Sequence, residues 1–178
     1  MSLSPSTWTR RSPAAAWDLE LPCTGDRAQA WPVVLDAVLQ ALGDLGDAAR
    51  FRPTPRAGEV PVSRSDLRFA DLEQLGIDVD LHVRVPAGPD AVVERGMVLW
   101  LEWEDETERA SPMRLLVSLE VDLYARRTWG ASRENDALAA LNQPRLAGFL
   151  SRLRALGGRV HDVDAPSYRG QVGPDGFV

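Results

Sequence analysis

Residues 77–85 read IDVDLHVRV, and this alternation of apolar and polar side chains decides the fold. A period of two places successive side chains on opposite faces of a β-strand. The same pattern recurs in residues 97–104, MVLWLEWE, and in residues 113–124, MRLLVSLEVDLY. Segments of this kind favour an antiparallel sheet with one solvated face, because parallel strands buried on both faces are continuously apolar. The connecting segments predict that the three strands are sequential neighbours.

A helix is predicted before the strands, and an irregular arm is predicted before the helix. From Asp26 up to Gly43, apolar residues recur at three- and four-residue spacing, which places them on one helical face. Pro32 falls inside this pattern, so the helix either kinks there or starts close to it. Residues 1–25 are rich in Ser, Thr, Pro and Arg, which predicts an irregular N-terminal arm.

Two further helices are predicted after the strands. The first starts near Ser132 and breaks at Pro144, because proline interrupts the hydrogen bonding of a helix interior. The second covers residues 146–156 and carries one apolar stripe. A short strand is expected at residues 159–163.

These elements predict an α+β fold. It consists of an antiparallel sheet of three to five strands, with one N-terminal helix and C-terminal helices packed on one face. The chain has 178 residues, 44% of them apolar, which suffices for one packed core. We therefore expect the arm at residues 1–25 to precede a single α+β domain at residues 26–178.

Composition excludes several classes of function. The net charge of −6 disfavours a binder of nucleic acid or of an anionic membrane, which needs a basic field. All 20 basic residues are Arg, so no lysine is present for a Schiff base, a general base or a P-loop. Cys23 is the only cysteine, which excludes an intrachain disulfide and a multi-cysteine metal site. With no membrane-spanning apolar stretch and no evident export signal, we expect a cytoplasmic protein.

Acidic residues are concentrated in the predicted sheet. Residues 66–124 carry 5 Arg and 14 acidic residues, a net charge of −9, whereas residues 126–169 carry 8 Arg and 4 acidic residues, a net charge of +4. If the three strands pair in sequence order, polar and aromatic side chains converge on the wet face of the sheet. Together with Asp78 and Asp80, the candidate binding residues on this face are His82, Trp100, Glu102, Glu104, Glu120, Asp122 and Tyr124.

This predicted face has a defined chemical preference. Carboxylates bind Arg side chains in a bidentate manner, and a neighbouring aromatic ring attracts cations. The leading hypothesis is therefore a non-enzymatic binding or adaptor protein whose acidic, aromatic sheet face engages a basic protein segment.

Two alternatives use the same face. In a hydrolase, Glu102 with Glu120 or Asp122 on the next strand would supply an acid and a base or ligands for a divalent cation, and His82 would assist. In a structural homodimer, the acidic sheet of one copy would complement the basic C-terminal helix of another. Nucleotide-binding loops and the Gly-x-Ser-x-Gly motif do not occur in the sequence, so we expect no cofactor and assign no catalytic residue.

Overall fold

The part of the chain that the structure describes forms one main antiparallel sheet with two α-helices. The computed structural model describes residues 13–54, 60–103, 112–126 and 134–178. In chain order the elements are β1 (Ala15–Leu21), α1 (Arg27–Leu42), β2 (Gly46–Thr54), β3 (Gln74–Val83), β4 (Ala91–Trp103), β5 (Met113–Leu119), α2 (Glu134–Ala155), β6 (Arg159–Asp164), β7 (Val172–Gly173) and β8 (Gly176–Phe177). The six strands of the main sheet lie in the order β2-β3-β4-β5-β1-β6, and β7 pairs with β8 separately.

The predicted α+β class and the antiparallel sheet are confirmed. The three strands read from alternation pair in sequence order as β3, β4 and β5. The expected three to five strands are too few, because β1, β2 and β6 also join the main sheet and bring it to six. The expected number of helices is too high, because one long helix replaces the two predicted at the C-terminal end.

The predicted irregular arm at residues 1–25 is wrong for its second half. Residues 15–21 read AAWDLEL and form β1, which lies between β5 and β6. Trp17 and Leu19 point into the core, and Asp18 and Glu20 are half-buried on the opposite face. The arm composition concealed this short alternation. Residues 1–12 of the predicted arm lie outside the described part of the chain.

Helix α1 starts at Arg27, with Asp26 as its N-cap. The Asp26 carboxylate accepts a hydrogen bond from the backbone amide of Gln29 at 2.9 Å. Pro32 therefore lies inside the helix and does not mark its start. The amides of the first helical turn have no hydrogen-bond partner within the helix, and Asp26 supplies one for Gln29. The first turn therefore forms upstream of Pro32.

Helix α2 continues through Pro144, where a break was predicted. The buried side chain of Asn142 holds this region against the end of β3. Its amide group donates to the carbonyl oxygens of Arg84 at 2.9 Å and Leu138 at 2.8 Å, and its carbonyl oxygen accepts from the Arg84 amide at 2.8 Å. The two tertiary contacts with Arg84 offset the local cost of the helical hydrogen bond that Pro144 cannot donate.

Strand β5 is shorter than predicted. The alternation to residue 124 predicted a strand that continues to Tyr124, but β5 ends at Leu119. Burial still alternates through Val121 and Leu123, but Tyr124 and Ala125 are both fully buried, so the alternation ends at Leu123. The chain turns here, and the Ala125 amide donates to the Asp122 carbonyl at 3.0 Å.

The main sheet has two different faces. The inner face packs against α1 and α2 in one hydrophobic cluster, and its fully buried residues include Trp17, Leu19, Ile77, Val79, Leu99, Leu101, Leu115 and Val117. The opposite, outer face carries the alternate residues of the same strands. In the described part of the chain, both helices pack on the inner face. The outer face is therefore the candidate binding surface.

The backbones of the two edge strands have different hydrogen-bond partners. Next to β2, Phe51 and Val62 exchange backbone hydrogen bonds of 2.8 and 3.4 Å. In β6, the amide of Val163 donates to the side chain of Asp162 at 2.8 Å.

Candidate interaction surface

The strand register arranges the outer face in three rows that cross the sheet from β2 to β6. The Glu102 row consists of Thr54, Gln74, Glu102, Arg114, Glu20 and Arg159. The Trp100 row consists of Arg52, Gly76, Trp100, Leu116, Asp18 and Asp162. The Val98 row consists of Arg50, Asp78, Val98, Ser118, Ala16 and Asp164.

A polar ladder runs along the Glu102 row. Thr54 donates to the Gln74 side chain at 3.3 Å, and Gln74 donates to Glu102 at 2.7 Å. Arg114 lies 3.8 Å from Glu102 and reaches Asp18 of the neighbouring row, to which its Nε donates at 2.8 and 3.0 Å. The ladder connects side chains of five strands, because each member bonds to a neighbour across a strand pair.

The centre of the outer face is aromatic and apolar. The Trp100 ring lies directly over Gly76, where an added Cβ would be 2.9 Å from the ring. The Arg52 guanidinium lies 5.0 Å from the centroid of the same ring, within the range of a cation–π contact. Leu116, the register partner of Trp100 on β5, is 36% exposed. An apolar contact patch therefore lies where β4 meets β5.

Arginines of the sheet itself neutralise its buried carboxylate. Asp78 is only 2% exposed and pairs with Arg52 at 2.6 Å and Arg95 at 3.2 Å. The Arg95 backbone amide also donates to the Asp80 carboxylate at 2.9 Å. A buried carboxylate needs such partners, since an isolated buried charge is costly. Part of the acidity predicted for this face is thus cancelled inside the sheet.

The charged residues are unevenly distributed across the outer face. The end at β1 and β6, here called the acidic end, consists of Asp18, Glu20, Asp162 and Asp164, of which Asp18 already pairs with Arg114. The end at β2, here called the basic end, consists of Arg50 and Arg52, of which Arg52 already pairs with Asp78. Strand β6 also carries Arg159 and His161, and the His161 Nε2 lies 2.7 Å from the Glu20 carboxylate. The outer face therefore carries opposite charge at its two ends.

The structure separates residues that the sequence grouped together. Glu120 lies beside Gly96, to which its amide donates at 2.9 Å, six positions along β4 from Glu102. At about 3.4 Å per strand residue, Glu102 and Glu120 are roughly 20 Å apart. The carboxylate pair proposed for hydrolysis or metal binding therefore does not form. Within the described ranges, no group of three or more His, Cys, Asp or Glu residues is placed to hold a metal ion.

His82 also lies away from Trp100. It occupies β3 six positions beyond Gly76, the residue under the Trp100 ring. Its Nε2 lies 2.9 Å from the carboxylate of Asp47, so it belongs to a separate exposed pair. Glu104, another predicted site residue, lies outside the described residues.

The last three predicted site residues follow the end of β5. Glu120 accepts a hydrogen bond from Ser118 at 2.7 Å, and Asp122 begins the turn after the strand. Tyr124 is completely buried near Arg145 and Asp44 and does not face the outer surface. Burial raises the pKa of Tyr124; Arg145 opposes that shift and Asp44 adds to it. The predicted alternation fails here because the strand has already ended.

Sequence reasoning missed the contributions of β1, β2 and β6 to this surface. Asp18 on β1 and Asp162 on β6 complete the acidic end, and Arg52 on β2 covers Trp100. The alternation in residues 15–21 was the available signal for β1. Nothing local indicates that Arg52 lies beside Trp100, because that contact depends on strand order.

Comparison of the chain with protein-family models, curated proteins and solved structures finds no match. Among the described residues, neither helix combines the length and apolar character needed to cross a membrane.

Proposed function

We propose that this protein is a non-enzymatic binding or adaptor module whose outer sheet face engages a basic protein segment. The observation that carries the proposal is the acidic end beside an apolar centre, on a face that neither helix covers. Exposed carboxylates select a cationic partner, and exposed apolar area supplies the contact that binds it.

The acidic end offers several carboxylates in a small area. Asp162 is the register partner of Asp18, and Asp164 follows two residues later on the same face of β6. Both β6 carboxylates are exposed. Asp18 already pairs with Arg114, so Asp162 and Asp164 are the carboxylates of the acidic end most open to a bound cation. An Arg-bearing segment satisfies these carboxylates better than a neutral segment does.

The apolar centre gives the same segment a second contact. Leu116 lies between Trp100 and Asp18 in the Trp100 row, so one side chain separates the aromatic ring from the acidic end. A segment that combines Arg with aliphatic residues complements both the acidic end and the adjacent apolar centre. Its Arg residues pair with the acidic end while its aliphatic residues cover Leu116 and the exposed part of Trp100.

The test is fluorescence anisotropy with a labelled peptide of alternating Arg and Leu, and with a second peptide in which Glu replaces Arg. We expect binding of the Arg peptide only, weakening as salt is added. The double variant Asp162→Asn, Asp164→Asn should bind about three- to tenfold more weakly, because each exposed charge pair contributes up to about 1 kcal/mol.

A matched control removes two exposed carboxylates from the helix side of the molecule, in Asp136→Asn, Asp175→Asn. Asp136 lies on α2, and Asp175 pairs with Arg154 of the same helix. This variant should bind the Arg peptide as the unmodified chain does. Equal weakening in both double variants would refute a role for the outer face, since only net charge would then matter.

A further inference from the structure

We infer that the basic segment that fits the acidic end is β2 of a second copy of this chain, so that two outer faces pack against each other about a two-fold axis. The inference rests on the proposed function, because both use the outer face. It follows from the positions of the charged residues in the three rows.

The order of the strands makes the outer face self-complementary. A two-fold axis parallel to the strands, between β4 and β5, reverses strand order in the second copy and keeps each row at the same height. Strand β2 then faces β6, β3 faces β1, and β4 faces β5. The basic end of each copy thus lies over Asp162 and Asp164, the β6 part of the acidic end, in the other copy.

Each row supports this arrangement. In the Trp100 row, Arg52 faces Asp162 and Trp100 faces Leu116. In the Glu102 row, Glu102 faces Arg114.

The Val98 row contributes a third pair of opposite charges, because Arg50 faces Asp164. In the same row Asp78, which its own sheet neutralises, faces Ala16. Wherever two charged residues of these three rows face each other, their charges are opposite.

A two-fold axis perpendicular to the strands gives the opposite result. Placed through the Trp100 row, it sets every strand against itself, so that Arg52 faces Arg52, Asp18 faces Asp18 and Asp162 faces Asp162. Such like-charge contacts cost several kcal/mol at an interface. Charge therefore selects the axis parallel to the strands.

The geometry of stacked sheets is compatible with this dimer. Packed sheets lie about 10 Å apart and keep their strand directions within about 30°. This rotation shifts the outermost pairs, so Arg50 and Arg52 as a group face Asp162 and Asp164 as a group. The centre, where Trp100 and Leu116 meet their counterparts, is displaced least.

Arg50 and Asp164 allow a charge-swap test. Both are exposed, and they lie on opposite edge strands, five strand spacings apart, which corresponds to about 24 Å. They cannot touch within one chain. Any coupling between them therefore arises between two chains.

The experiment is sedimentation velocity over a concentration series with the full chain, R50E, D164R and an equimolar mixture of the two variants. We expect the unmodified chain to dimerise and each variant alone to dimerise more than about tenfold more weakly, because both symmetric contacts become repulsive. The mixture should recover the affinity, since both contacts between unlike variants are attractive. Recovery also shows that both variants are folded.

Three results would overturn the inference: an unmodified chain that stays monomeric at every concentration, single variants that dimerise normally, or a mixture that does not recover. The Arg peptide, titrated into R50E, separates this failure from failure of the proposed function. If the unmodified chain stays monomeric and R50E binds the Arg peptide, the dimer is wrong and the proposed function stands. If the unmodified chain stays monomeric and R50E does not bind the peptide, both proposals are wrong.

Discussion

The two faces of the main sheet are built from the same strands and follow different rules. On the inner face, Ile77, Leu99 and Val117 are fully buried and differ little in chemistry. On the outer face, their neighbours Asp78, Val98 and Ser118 are also buried but differ in charge and polarity, and Asp78 depends on arginines of the two adjacent strands. The inner face requires only apolar residues at alternate positions, whereas the outer face requires particular partners at particular registers. The inner face therefore sets stability, and the outer face is the one to which we assign recognition in the proposed function.

The largest effect is expected from truncating a helix residue that packs against the inner face. Trp31 of α1 is fully buried, donates to the Leu72 carbonyl at 2.9 Å and packs edge-to-face on Trp103 at 6.4 Å. Trp31→Ala should lower the free energy of unfolding by about 3–5 kcal/mol, measured by urea denaturation. The outer-face control, Leu116→Ala, should cost less than about 1 kcal/mol. Similar losses in both variants would abolish the distinction between the two faces.

A smaller loss is expected from Gly76→Ala, which changes the outer face by one methyl group. The new Cβ would lie 2.9 Å from the Trp100 ring, so the ring and the Arg52 side chain must move. We expect a loss of about 1–3 kcal/mol in urea denaturation. In a Trp100→Ala background the clash disappears, and the cost should fall below about 1 kcal/mol. An undiminished cost in that background would place the strain elsewhere.

Tyr124→Phe tests a group that the sequence assigned to the wrong face. The Tyr124 hydroxyl is buried and has no hydrogen-bond partner among the described residues. Because the folded pKa is raised, the unfolded chain ionises first as pH rises above about 10, and stability then falls by about 1.4 kcal/mol per pH unit.

Tyr124→Phe should therefore match the unmodified chain near neutral pH and be the more stable of the two above pH of about 10. Denaturation across this pH range measures the difference. Parallel pH profiles would show that Tyr124 ionises equally in the folded and unfolded chain.

The smallest effect is expected from the polar ladder. Arg114 is half exposed and bridges Asp18 and Glu102. Arg114→Gln should cost less than about 1 kcal/mol at low salt, and the loss should shrink as salt is added, because exposed ion pairs are screened. Arg169→Gln, which removes an exposed arginine outside the three rows of the outer face, is the control for net charge. A salt-independent loss at Arg114 would indicate that its packing, and not its charge, supports the sheet.

The sequence predicted features that depend on a local pattern and missed features that depend on strand pairing or tertiary contacts. Alternation in residues 77–85 identified β3 because the pattern is local. The structure places Glu102 opposite Arg114, six positions from Glu120. This placement depends on the register between β4 and β5, which the sequence of one strand alone does not specify. Pro144 misled the helix prediction because Asn142 stabilises α2 through tertiary contacts with Arg84.

The candidate site was therefore only partly predictable. Trp100 and Glu102 do lie on the outer face, as alternation predicted, whereas Tyr124 lies in the core. The acidic end was missed because Asp18 lies in a segment whose composition resembles an irregular arm. Strand order then brings β1 beside β5, a contact between residues nearly a hundred positions apart.

The Asp162 side chain has a consequence for the way this protein avoids uncontrolled polymerisation. An edge strand with unpaired amides is a template for strand-by-strand growth into fibres. In β6 the Val163 amide already donates to Asp162, and the charged residues Asp162 and Asp164 flank it. At the opposite edge, the backbone groups of Phe51 are already hydrogen-bonded to Val62. Lateral growth of the sheet is blocked at both of these positions. Copies that meet through their faces stop at a pair, whereas copies that met through edges would continue without limit.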